Sequence, residues 1–428
     1  MHSTTFFVIA IAAIMAQAYL LVLFLFEPGL RYKMSSPEIS PVDSPEFLHE
    51  LEALTDSKLR RTAIEVLTNG NNFYDTELAA ISSAQATISL EAYIFQSGDV
   101  THRLLQALTE RARAGVKIKL LCDAVGSAGI FKTEISNLRD AGGKFAWYHP
   151  LWWNTIPNFN NRTHRELLIV DDRLGFAGGA GFADHWLHSK PRHPRWRDTM
   201  LRFEGDVVTA LQATFAENWL EATGEILAGP DYFRYNSSNL TDGDAEALVV
   251  ASTPTVGGST RARMLFQLLI AAARESIHVT TPYFLPDASA RETLAKAAKE
   301  RGIDVRILVP GRHSDHFQTR SSARRFYGGL LSAGVRIFEY QPSMIHAKIM
   351  IVDELWSVVG STNFDPRSFR INDEVNAAIR DREVAARLNR DFAADLAHSR
   401  EVTYDRWQHR SVLARLDETL GVVLERLE

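Results

Sequence analysis

Two stretches of this chain run through the same series of apolar strands and turns. That duplication restricts the fold more than any other feature. ATISLEAYIF (86–95) and GVKIKLLCDAVG (115–126) in the first half match ESIHVTTPYF (275–284) and GIDVRILVPG (302–311) in the second, each pair separated by a helical stretch. LRDAGGKFAWYHP (138–150) pairs with LLSAGVRIFEYQP (330–342), and HRELLIVDDRLGFAGGAG (164–181) with HAKIMIVDELWSVVGSTN (346–363). FAENWLEAT (215–223) and FAADLAHSREVT (392–403) read as equivalent closing helices. Apolar strands alternating with helical segments imply an α/β fold on largely buried sheets. The expected architecture is two tandem halves, residues 60–245 and 246–428, each a mixed β-sheet flanked by helices. A pseudo-twofold axis between them would bring His164 and His346 together.

Ahead of the duplication, FFVIAIAAIMAQAYLLVLFLF (6–26) carries no charge and is about long enough to cross a ~30 Å hydrocarbon core. A cleaved signal peptide is the rival reading, and Ala16-Gln17-Ala18 offers small residues for it. The missing basic n-region and the apolar residues beyond that point favour a retained anchor, assigned to 1–34. Arg31 and Lys33 on its C-terminal flank would leave the body on the cytoplasmic side, as a single-pass protein of the inner membrane. The Ser/Pro-rich SSPEISPVDSP (35–45) reads as a linker within a lead-in of 35–59. The single cysteine, Cys122, sits in an apolar run and reads as a core residue.

Chemistry concentrates in the last strand pair. His346 and Lys348 lie two apart on a strand and share a face, placing a group that titrates near neutrality beside a fixed cation, as work on a phosphate requires. Asp353 falls at an odd offset and reads as a structural residue at the strand end. Gly360 and Ser361 form a tight turn whose N–H groups can approach an anion. Laid on these positions, the first half supplies His164, Asp171 and Gly178-Gly179, and Asp198 aligns with Glu374. A carboxylate on the far ring nitrogen of each histidine would fix its tautomer.

His346, Lys348, Asp353, Gly360, Ser361, Asn363 and Glu374 together resemble the phospholipase D superfamily signature, H-x-K-x-x-x-x-D followed by G-S-x-N and a later acid. The resemblance spans about residues 60 to 428, and HRELLIVDDRLGFAGGAGFADHW looks most like the cardiolipin synthase branch. It implies phosphodiester chemistry without metal or organic cofactor, on a membrane phospholipid. His164 would be the nucleophile and His346 the general acid/base, with Lys348, Asp198 and Glu374 completing the machinery. Asn363, Ser361, Gly179 and Glu166 would meet substrate, while Asp171 and Asp353 hold the motifs. Phosphatidylglycerol would serve as donor and acceptor. Oligomeric state is not readable from the chain.

Two positions break the pattern: Glu166 stands where the second half has Lys348, and Gly181 where it has Asn363. Glu166 either pairs with Arg162 or Arg197, binds a headgroup or protonates to donate a hydrogen bond, or it marks a decayed half-site. A nuclease of the same superfamily is one alternative, disfavoured by the net charge of −5 and the absence of a basic track, so no nucleic-acid partner is expected. A phospholipase D-type hydrolase, or a silent lipid-binding protein, is the other. The aromatic WYHPLWWNTIPNFNNR (147–162) reads either as a core cluster or as an acyl-chain rim. The cluster Arg192, Arg195 and Arg197 reads either as solvated charge or as a headgroup contact.

Overall fold

A computed structural model describes residues 31–411 apart from 37–38, 130–131, 151–159, 192, 235–242, 244 and 255–259, together with Ile11, residues 14–17, Tyr19 and Arg415. The anchor expected over 6–26 lies largely outside the described residues, as does the centre of the aromatic stretch. Among the described residues no helix is long and apolar enough to cross a membrane.

The first half contributes β1 (Arg60–Thr68), β2 (Thr87–Ala92), β3 (Lys117–Asp123), β4 (Lys144–Tyr148), β5 (Leu167–Val170), β6 (Leu174–Gly178) and β7 (Thr199–Gly205). The second contributes β8 (Ala245–Ser252), β9 (Ser276–Thr280), β10 (Asp304–Pro310), β11 (Arg336–Tyr340), β12 (Ile349–Val352), β13 (Trp356–Gly360), β14 (Glu374–Arg380) and β15 (Ser399–Val402). All join one mixed sheet in the order β15-β11-β10-β9-β12-β13-β14-β8-β1-β7-β6-β5-β2-β3-β4. Counted outward from the antiparallel β8–β1 pair, both directions repeat the same series of strands and pairing senses. In each half the first crossover strands are parallel (β2–β3–β4, β9–β10–β11) and the remainder antiparallel.

β15 breaks the correspondence. The closing helix of the second half, Arg382–Ala397, ends earlier than expected, and Ser399–Val402 adds antiparallel to the edge of β11. An edge strand with open N–H and C=O groups is a ready template for such an addition.

The central strands explain the unbroken apolar runs. β5 and β12 are buried along their whole length, because both faces of the sheet are covered. One face is divided between the halves, with separate clusters around Leu105, Phe176 and Trp186 in the first and Leu269, Ile307 and Trp356 in the second. A third cluster is common to both. Leu167, Ile169 and Leu201 meet Ile349, Ile351 and Val375 there, beneath Leu211 and Phe215 of helix Val207–Thr223 and Leu388 of helix Arg382–Ala397. Cys122 is fully buried in the first-half core.

Each strand pair β5–β6 and β12–β13 turns on left-handed acidic residues, Asp171 and Asp172 (φ 57° and 48°) and Asp353 and Glu354 (φ 51° at both). Aspartate tolerates this region because its short side chain bonds locally. Here the bonds reach further. The Asp171 carboxylate accepts the N–H groups of Gln85, Ala86 and Thr87, and Asp353 those of Arg274, Glu275 and Ser276. Each aspartate thereby ties its hairpin to the start of the neighbouring strand.

The Ser/Pro-rich stretch is docked on the second half. Tyr32 donates its hydroxyl to Asp287 and its N–H to Ser289, Trp356 Nε1 donates to the Val42 carbonyl at 2.8 Å, and Val42 is buried. Helix Pro45–Thr55 follows, with Ser44 accepting the Phe47 N–H at its N-terminus and Phe47 and Leu51 in the core. Phe47 is 0% exposed and meets Trp356 edge to face at 6.1 Å. Phe47→Ala should therefore lower unfolding free energy by about 3–5 kcal/mol, measured by chemical denaturation.

Two carboxyls are buried inside the first half. Burial pushes Glu77 up to about 8. It pushes Glu91 up to about 7, against the Arg165 charge and hydrogen bonds from Thr163 and Asn218. A carboxyl raised on folding favours the folded state while protonated. That contribution is whole below the ordinary value of 4.5 and is lost as pH rises through about 7 for Glu91 and about 8 for Glu77. Unfolding free energy should fall by a few kcal/mol between weakly acidic and alkaline pH, and Glu77→Gln should flatten the upper part of that slope.

Candidate active site

The catalytic geometry begins with two backbone bridges between the halves. Thr163 pairs with Asp373, and Ile345 with Arg197, both parallel. Each bridge lies one residue before a histidine on one side and one residue before a carboxylate on the other. The His164 N–H donates to the Asp373 carbonyl and the His346 N–H to the Arg197 carbonyl, each at 2.8 Å.

The side chains are therefore crossed. His164 Nδ1 lies 3.1 and 3.0 Å from the two carboxylate oxygens of Glu374, a residue of the second half. His346 Nδ1 lies 2.9 Å from Oδ2 of Asp198, a residue of the first. Both acids are fully buried. Burial pushes Asp198 up, but the His346 hydrogen bond and the Lys348 charge overcome it and hold the group below its ordinary value. Glu374 is likewise raised by burial and brought down further by the His164 charge and by hydrogen bonds from His164, Ser361 and Ser368. An ionised carboxylate only accepts, so each Nδ1 carries a proton and each Nε2 is turned away from its acid.

Lys348 ties the two pairs into one centre. Its Nζ donates to the Gly179 carbonyl at 3.1 Å and lies 2.7 and 3.0 Å from the ring nitrogens of His346. Burial lowers its pKa against the charges of Asp198, Glu374 and Glu166. Burial, then the Lys348 charge, lowers His346 in spite of Asp198, favouring neutral imidazole.

The structure shows what holds three of the positions expected to meet substrate. Ser361 gives its hydroxyl proton to Glu374 at 2.5 Å and accepts the Val375 N–H, so it orients the acid. Gly179 is set by close approach: a Cβ there would lie 2.7 Å from Asp198 Oδ1 and 3.0 Å from Lys348 Cδ. Asn363 is buried, its N–H donating to Ser368 Oγ and its side-chain oxygen lacking a partner among the described residues.

Glu166 pairs with neither Arg162 nor Arg197. Its Oε1 accepts the N–H groups of Tyr93 and Ile94 at 3.3 and 3.2 Å, and its buried Oε2 has no hydrogen-bond partner among the described residues. Burial raises it well above the ordinary carboxylate range, against those N–H groups and the Lys348 charge. Arg162 instead donates to the His149 carbonyl and faces Asp123, and buried Arg197 bridges to Asp395. Arg197 is thus committed inside the fold and not presented to headgroups, and Arg192 lies outside the described residues. Tyr148 is a core residue of the aromatic stretch, its hydroxyl donating to Asp373 at 2.5 Å.

Aromatic side chains that the motifs did not single out surround the histidines. Tyr93 meets His164 edge-on at 5.2 Å. Trp196, Trp186 and Tyr283 meet His346 at 5.2, 5.5 and 6.4 Å. Trp186 also donates Nε1 to Asp198 Oδ2 at 3.0 Å. The duplication held a signal for it: Trp186 stands four residues past Phe182 as Ser368 does past Phe364, and both bond the acid of their own half.

The crossed pairing makes a specific energetic forecast. In double-mutant cycles on unfolding free energy, His164→Ala should couple with Glu374→Gln by about 1–3 kcal/mol, and add with Asp198→Asn to within about 0.5 kcal/mol. Equal coupling within a half would contradict the crossed arrangement.

Comparison with known proteins places this geometry in a lineage. A family model described as cardiolipin synthase, PLD-like domain, matches residues 78–191 and 267–396. The chain is 34% identical over 364 residues to a cardiolipin synthase of Alkalihalophilus pseudofirmus, covering 85% of this chain and 72% of the relative. It is 32% identical over 395 residues to the probable cardiolipin synthase YwiE of Bacillus subtilis, covering 91% and 77%. In fold it is similar to phosphatidylserine synthase of Haemophilus influenzae, with a TM-score of 0.68 at 16% identity, covering 89% of this chain and 97% of that one.

Proposed function

The chain belongs to the cardiolipin synthase family of phospholipase D-like proteins, and from that premise we propose that it joins two phosphatidylglycerol molecules through a phosphohistidine, releasing glycerol. It is a cardiolipin synthase-like phosphatidyltransferase. The observation that carries the mechanism is the pair of histidines, each with Nδ1 held by a buried carboxylate from the opposite half, with the Lys348 ammonium in the field of both carboxylates.

In the first step His164 Nε2 attacks phosphorus and the bond to the departing glycerol oxygen breaks, with His346 giving that oxygen its proton. In the second, the hydroxyl of another phosphatidylglycerol loses its proton to His346 as it attacks the phosphohistidine, freeing His164. Splitting one displacement in two lets the same residue serve as acid and then as base. Glu374 and Asp198 stabilise the positive charge that each ring acquires. Lys348 neutralises charge on the phosphoryl oxygens. Burial, and then the Lys348 charge, favours neutral His346 before substrate arrives. The phosphodiester anion opposes that cation, raises the imidazole and so draws in the proton needed for the first step.

This reading treats the chain as two tandem phospholipase D-like halves about a pseudo-twofold axis, supported by the mirrored strand order and the crossed bridges. It takes 6–26 as a single-pass anchor holding the body against the inner membrane, where both substrates lie. The test uses the full chain in phosphatidylglycerol vesicles. Wild type should form cardiolipin and glycerol, and His164→Ala and His346→Ala should each be slower by about 10³-fold or more. Phosphatidic acid in place of cardiolipin would make the protein a hydrolase, and turnover by either alanine variant would exclude the two-histidine route.

A further inference from the structure

Three differences between the half-sites meet at one carboxyl. Glu166 replaces the counterpart of Lys348, Gly181 that of Asn363, and Tyr93 that of Pro282. The last equivalence follows from the strands themselves, since Phe95 bridges Phe182 just as Phe284 bridges Phe364. Each replacement suits the acid. Tyr93 supplies an N–H to Glu166 Oε1, whereas a proline has none to give. Gly181 leaves room: a Cβ there would lie 2.8 Å from Glu166 Oε1 and 2.5 Å from the Ile94 carbonyl. Tyr74 fixes the loop by donating its hydroxyl to the Gly181 carbonyl at 2.6 Å. A site decaying from an ancestral lysine would not be expected to acquire a donor and a vacancy fitted to a carboxyl.

Resting on the phosphatidyltransferase reading, we propose that Glu166 works as a neutral carboxylic acid, its Oε2 hydroxyl donating a hydrogen bond to a non-bridging oxygen of the lipid phosphodiester. Oε1 is engaged by two amides, which leaves Oε2, buried and without a partner among the described residues, as the atom that carries the proton. The groups facing it are Lys348 of the second half and Asp198, Tyr74, Tyr93 and Cys122 of its own. Burial raises both tyrosines and the thiol above their ordinary values, so they are neutral near pH 7. Asp198 adds a negative charge that opposes ionisation of Glu166, and Lys348 offsets it. A neutral donor binds the phosphoryl oxygens without repelling them, whereas a glutamate anion would be repelled. Activity then requires the protonated form and falls as pH rises through the elevated value of Glu166.

Cardiolipin formation by the full chain in phosphatidylglycerol vesicles, followed across neutral to alkaline pH, tests this with Glu166→Gln and Glu166→Lys. The amide is a weaker donor that cannot ionise. Glu166→Gln should be slower by roughly 3- to 10-fold near neutrality, with its alkaline fall displaced upward by about one pH unit or more. Glu166→Lys should lose at least about tenfold, because a second ammonium meets the Tyr93 and Ile94 N–H groups and the field of Lys348. The wild-type minus Glu166→Gln infrared difference spectrum at neutral pH should contain a protonated-carboxyl band, a readout independent of turnover. An unchanged alkaline fall in the glutamine variant, a gain of activity in the lysine variant, or no such band overturns the proposal while wild-type turnover stands. Absence of cardiolipin from wild type overturns the functional reading and the donor role with it.

Discussion

Two one-residue bridges between the halves hold the catalytic centre together. Thr163–Asp373 and Ile345–Arg197 each set a histidine of one half beside the acid of the other. Without them four buried polar groups would lose their partners. A lone buried carboxylate or imidazole carries a desolvation cost of several kcal/mol, and a charged partner with good hydrogen bonds is what offsets it. The shared core beneath both sets of strands supports the same arrangement, since Leu167 and Ile349 pack in one cluster under both closing helices. A separated half would expose that cluster and leave its histidine without an acid.

Much of the architecture was legible in the chain because a duplicated pattern of buried strands has few solutions. The apolar runs of β5 and β12 mark strands covered on both faces, and a constant offset between the halves located every counterpart of His346, Asp353 and Gly360. The crossing was not legible. Aligning one half on the other yields equivalent positions and says nothing about which copy completes which. The partners of Ser361 and Arg197 were hidden for a related reason: a hydroxyl or guanidinium near a motif reads as available until its partner, here Glu374 and Asp395, comes into view in the fold. The segment before helix Pro45–Thr55 has the composition of a linker, yet a few side chains and the Val42 carbonyl suffice to dock it on Trp356. Local composition measures average solvation and misses such single contacts.

The two histidines share a pattern of partners but differ in surroundings. His346 is enclosed by Trp186, Trp196 and Tyr283 and pressed by the Lys348 ammonium, so its neutral form is favoured. His164 has Tyr93 at its edge. Different environments on equivalent residues would let a duplicated site divide acid from nucleophile, as the proposed mechanism requires. In the proposed mechanism a phosphodiester anion beside Lys348 would counter the part of the His346 depression which the cation supplies, and proton uptake would be coupled to occupancy.

Charge sets the role of Glu166. Asp198 and Glu374 are held ionised inside the fold, and Lys348 is the cation that faces both. A bound phosphodiester adds negative charge beside these buried acids, and an ionised Glu166 would add more. Restoring the lysine would cancel one charge, but the surrounding backbone has moved away from that solution: the N–H of Tyr93 points at the side chain, where proline in the other half presents none. A cation there would face a donor without an acceptor. Protonation of the carboxyl removes the excess negative charge and turns Oε2 into a donor. Among the forms that Glu166 can take, only the neutral acid satisfies both the Tyr93 and Ile94 amides and an incoming phosphate.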